Sequence, residues 1–90
     1  MWDSGDTRKE WVAEWNEGAL MADGFEEAII GVSERFGREP IVAYDREKCI
    51  DILIERDGMD SVEAEEFFQF NTLGAWVGDG TPEFITVYKD

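Results

Sequence analysis

The side chains that carry most enzyme chemistry are thinly represented in this sequence. Histidine is absent, which removes the commonest general acid/base and the commonest metal ligand. With it goes any Ser-His-Asp or Cys-His arrangement within the chain. Cys49 is the sole cysteine. It falls on the apolar face of a candidate helix, where a free cysteine behaves as a small core residue, and no internal disulfide is open to it. Carboxylates are abundant, with 22 Asp and Glu against eight Lys and Arg. Asp51/Glu55 and Glu47/Asp51 are each spaced four apart, on one helix face. A glycosidase-like pair needs a cleft between its carboxyls, and a domain this small has little room for one. A solvated acidic face is the plainer reading. Asp57-Gly-Met-Asp60 and Asp79-Gly80 offer oxygens, but neither follows the alternating acidic loop of an EF-hand. A helix stop with the next helix's cap, and a turn, account for them. Gly78-Asp-Gly80 runs into Thr-Pro, with neither the lysine nor the helix of a phosphate-cradling loop. The residues therefore point to no catalytic group, no cofactor and no dedicated metal site. A small carboxylate-based hydrolase or metal-dependent enzyme is the minor alternative.

What remains is charge and aromatic surface. The formal net charge is −14. A compact chain of this length is roughly 30 Å across, and duplex DNA carries about 18 charges over that distance at one per ~1.7 Å. The two densities are comparable. Direct nucleic-acid binding and anionic membranes are thus disfavoured, whereas a cationic protein surface is attracted, including one built to hold nucleic acid. The bland counterpart is that acidity serves solubility or salt adaptation, which the low lysine count of three also suits. Trp11 and Trp15 share one helix face. They either lid the sheet, the commoner fate of such residues, or present an aromatic anchor to a partner. Trp2 is open to the same two readings.

The elements that must position these groups are legible in part. One domain of 90 residues is expected, with a Trp-containing helical segment over residues 1–22 and a core over 23–90. The first helix runs from Ser4, with Ser4 or Asp6 as cap, to about Asn16, and Ala19 to Ala22 are a candidate further turn. Ala28–Ser33 and Ile41–Tyr44 read as a hairpin around Arg35–Glu39. Asp45 caps a helix to about Asp57, with Cys49, Ile50, Leu53 and Ile54 as its apolar face and Gly58 as its stop. Asp60 and Glu63 have capping-box spacing for a second helix. In that helix Phe67 and Phe70 are expected in the core, with Phe68 at the margin. Gly74–Gly78 and Phe84–Tyr88 read as short strands. The expected fold class is α+β: a small antiparallel sheet of three to four strands with two to three helices packed on one face. The absence of a disulfide framework, of an N-terminal basic-then-apolar signal and of an apolar run near ~20 residues gives a cytoplasmic, non-membrane expectation.

Tyr44-Asp-Arg-Glu-Lys-Cys-Ile50, Arg56-Asp-Gly-Met59, Glu65-Glu-Phe-Phe-Gln-Phe-Asn71, Gly74-Ala-Trp-Val-Gly78 and Thr81-Pro82 together resemble a group of small uncharacterised bacteriophage and bacterial proteins that share an FxFNxxGAWVGxxTP-type motif. The resemblance covers about two thirds of the chain and excludes the Trp-rich N-terminus. It implies a viral or mobile-element accessory context and carries over no catalytic residue. The leading expectation is a non-enzymatic acidic protein, an accessory inhibitor of the anti-defence or anti-CRISPR kind, that occupies a cationic nucleic-acid-binding surface of a basic host protein. Its expected partner-binding residues are Asp51, Glu55, Glu63, Glu65 and Glu66 on the two best-defined helices, with Trp11 and Trp15. The alternative is a structural or regulatory interaction module whose acidity only keeps it soluble. Homo-oligomerisation is open under either reading.

Overall fold

β1 (Ile29–Arg35) and β2 (Arg38–Asp45) form an antiparallel hairpin that turns at Phe36-Gly37. Val32 pairs with Val42 and Ile29 with Tyr44, so these four side chains share one face of the ribbon. A computed structural model describes residues 5–75 and 77–90, and the expected cap at Ser4, Trp2 and Trp76 lie outside the described residues. Among the described residues there are three α-helices, α1 (Gly5–Trp15), α2 (Arg46–Asp57) and α3 (Ser61–Phe68), and a third strand, β3 (Glu83–Ile85). The α+β class and the three-stranded sheet agree with the sequence reading.

The sheet order is β1-β2-β3, and β3 runs parallel to β2, with Tyr44 opposite Phe84. The sheet is therefore mixed rather than wholly antiparallel. A parallel neighbour needs a crossover of a dozen or more residues. Residues 46–82 supply it, through α2, α3 and an irregular stretch that returns the chain to the start of β3. β3 reaches only the end of β2. Beyond that reach, the Asn16 side-chain amide donates to the Pro40 carbonyl at 2.9 Å, which ties the end of α1 to the part of β2 that β3 leaves uncovered.

One face of the sheet carries the core. Val42 and Tyr44 of β2 pack with Val12 of α1, Ile52 and Leu53 of α2, and Ala64 and Phe68 of α3. All three helices thus lie over the same face. Tyr44 stacks on Phe84 at 5.3 Å, and Phe68 meets Phe84 edge-on at 5.1 Å. On the opposite face, Ser33, Ile41, Ala43 and Glu83 are register neighbours. Arg38 donates to the Ser33 hydroxyl at 3.3 Å and pairs with Glu83 at 3.7 Å. Its guanidinium therefore spans that face and shields Ile41 and Ala43, which are buried there.

Four local expectations give way to other structure. Ala19–Ala22 is not helical. The Asn16 side chain accepts from the Gly18 N–H to make a turn, and the Ala22 N–H donates to the Tyr44 hydroxyl at 2.7 Å instead of to a helical carbonyl. Gly74–Gly78 forms no strand among its described residues, because α3 continues into a π-turn over Gln69–Leu73, closed by the Gly74 N–H on the Gln69 carbonyl at 3.0 Å. A Cβ at residue 74 would stand 3.0 Å from that same carbonyl oxygen, so glycine is the residue that permits the closure. The last strand stops at Ile85 rather than Tyr88. Finally, the phenylalanines are reversed. Phe68 is fully buried, while Phe67 and Phe70 are 39% and 83% exposed. Phe68 lies one turn beyond buried Ala64, on the same face, and Phe70, two residues further at about 100° each, falls on the opposite side.

Candidate protein-interaction surface

α2 is placed by its two ends. Asp45 accepts from the Glu47 and Lys48 N–H groups, and Gly58 closes the last turn with φ 72°, a left-handed conformation that disfavours a side chain. Cys49, Ile52 and Leu53 then face the core. Glu47, Asp51 and Glu55 are left on the solvent side, spaced four residues apart, so three carboxylates recur about every 6 Å along the helix axis. Lys89 pairs with Glu47 at 2.6 Å. Asp51 and Glu55 are exposed and make no ion pair among the described residues.

α3 is opened by a reciprocal capping box: the Glu63 N–H donates to Asp60 at 2.8 Å and the Asp60 N–H to Glu63 at 3.3 Å. Glu63 is exposed but occupied, one carboxylate oxygen being bound to its own helix start. Glu65 is committed more deeply. Arg46 grips both of its oxygens, Gln69 donates to it at 2.9 Å, and the same guanidinium lies 5.0 Å over the Phe68 ring. The Arg46 hydrogen bonds and then the Gln69 bond hold the Glu65 carboxyl at about 2, far below the usual range. Its charge is largely matched by Arg46, so it adds little to an outward acidic field. Glu66 is exposed. Of the five acidic residues singled out from the sequence, Asp51, Glu55 and Glu66 are thus presented outward, while Glu63 and Glu65 work within the fold.

No acidic side chain is buried among the described residues. The structure measures 38 × 34 × 29 Å, close to the size on which the comparison with duplex charge density rests. Trp11 and Trp15 are not a lid. They are 41% and 47% exposed and meet each other edge-on at 6.3 Å, while Val12 supplies the buried contact of α1.

Cys49 is fully buried, and burial pushes its thiol up to about 12 from an ordinary 9.0. The attacking form of a cysteine is the thiolate, so this side chain is packing, not a nucleophile. Tyr44 behaves alike, its hydroxyl raised by burial to about 12 from 10.0. Both groups titrate later in the folded chain than in the unfolded one. Their stabilising contribution is therefore complete below about pH 9 and is lost as the pH climbs toward 12. A thiol reagent at neutral pH is expected to label Cys49 only as fast as the chain opens, with labelling and unfolding rates rising together in urea. Rapid labelling of the folded protein would contradict the buried assignment.

No three carboxylate or thiol groups among the described residues converge to hold a metal ion. One feature escaped the sequence reading: a largely apolar cleft of about 330 Å³ between the loop at Met21 and Ala22 and the motif residues Asn71, Ala75, Val77, Thr81 and Pro82. The clue was the dense motif itself, whose residues are separated by turns and gain a common wall only in the fold. Scans against protein-family models, curated proteins and solved structures found no match to this chain.

Proposed function

We propose that this protein is a non-enzymatic acidic binding protein that occupies a cationic, nucleic-acid-binding surface of a partner protein, as a viral or mobile-element accessory inhibitor would. The observation that carries the reading is the set of outward carboxylates, Asp51 and Glu55 on α2 and Glu66 on α3, on a chain of net charge −14. The mechanism is competition: carboxylates take up the lysine and arginine positions that otherwise hold phosphates, and no bond is made or broken. Attraction of this kind weakens steeply with ionic strength. A partner captured on the immobilised protein is expected to elute both with rising salt and with added duplex DNA. A partner retained unchanged under both conditions would contradict the reading.

The exposed apolar side chains support a second reading. Trp11 and Trp15 on α1, and Val62 and Phe70 on and after α3, are all at least 41% exposed, as suits a docking or self-associating module whose charge serves solubility. Under that reading, neutralising the carboxylates leaves binding intact and removing the tryptophans abolishes it.

A further inference from the structure

We infer that the outer face of α1 is a docking surface for an arginine-rich segment of the partner, read by the Trp11–Trp15 pair and the adjoining Glu10 and Glu14. The inference rests on the proposed cationic partner and specifies its chemistry: arginine rather than lysine. α1 is anchored without the indoles. Val12 is fully buried, Arg8 donates to the Ile29 carbonyl, and Asn16 holds the Pro40 carbonyl. Trp11 and Trp15 sit one turn apart beside this anchor, 41% and 47% exposed, with ring planes inclined at 61°. Glu10 and Glu14, also one turn apart and exposed, run alongside on the flank away from Val12, at about 100° per residue. Two parallel stripes result, one of π-faces and one of carboxylates.

A guanidinium suits both stripes at once. It is planar and weakly hydrated, stacks on indole, and offers a fork of donors to a carboxylate, whereas an ammonium is a strongly hydrated point charge. The chain already pairs arginine with aromatic rings within its own fold: Arg46 lies 5.0 Å over Phe68 and Arg56 5.7 Å over Phe25. Among the described residues no such cation covers Trp11 or Trp15, and the net charge of −14 supplies the long-range attraction for one from outside. Rigid tryptophans lose little entropy on contact, which is why they anchor interfaces.

The test is calorimetric titration of the full chain at low salt with an oligo-arginine and an oligo-lysine peptide of equal length. The wild type is expected to prefer the arginine peptide by about two- to fivefold for each indole engaged. Trp11→Leu/Trp15→Leu, which keeps apolar bulk on α1, is expected to erase most of that preference while leaving the lysine peptide's affinity unchanged, with circular dichroism confirming the fold. A preference that persists unchanged in this variant overturns the inference, as does equal binding of the two peptides by the wild type; both leave the cationic-partner reading standing. Failure of both peptides to bind at low salt overturns that reading as well.

Discussion

Phe68→Ala is expected to cost about 3–5 kcal/mol of stability, the range for truncating a buried phenylalanine. Small domains have only about 5–15 kcal/mol in total, so urea unfolding should show a midpoint near the edge of measurability and a Tm lower by ~15 °C or more. The reason is position. Phe68 is fully buried, meets Phe84 edge-on at 5.1 Å and carries the Arg46 guanidinium at 5.0 Å, so its loss opens a cavity where α2, α3 and β3 meet. Phe70→Ala is the built-in control. At 83% exposure its truncation should fall within about 0.5 kcal/mol of wild type. Equal losses from the two substitutions would contradict the orientation of α3.

That pair of phenylalanines also marks the limit of what the sequence discloses. Helical periodicity places Phe67 and Phe70 on one face if the helix continues regularly. They do share a face, but it turns outward, because buried Ala64 brings Phe68, one turn on, into the core; the π-turn that follows is signalled locally only by Gly74, which leaves room for its closing hydrogen bond. The ends of α2 and the start of α3 were legible for the opposite reason. Asp45, Gly58, Asp60 and Glu63 act on backbone groups within three or four residues of themselves, so their meaning is local. The parallel direction of β3 and the pairing of Glu65 with Arg46 are set by residues far along the chain, and no spacing rule reaches them. The tryptophans show a third case. Their shared face was legible, but whether that face turned inward depended on Val12 satisfying the core by itself.

The second large effect concerns binding. Asp51→Asn/Glu55→Gln/Glu66→Gln is expected to weaken association with the cationic partner by roughly threefold to a hundredfold, since exposed charge pairs contribute about 0.2–1 kcal/mol each. The loss should appear mainly in the association rate and should shrink as salt rises. Folding should be unaffected, because all three side chains are exposed and make no ion pair among the described residues. Glu65→Gln, by contrast, should disturb the junction of α2 and α3 through Arg46 while changing binding far less.

The most direct test of the central claim is competition on a captured partner. The complex is titrated with duplex DNA, alongside the triply neutralised variant. Occupation of a nucleic-acid site requires that DNA displace the wild-type protein and displace the variant at lower concentration. Simultaneous, non-competitive binding of DNA and this protein to the partner would contradict the claim.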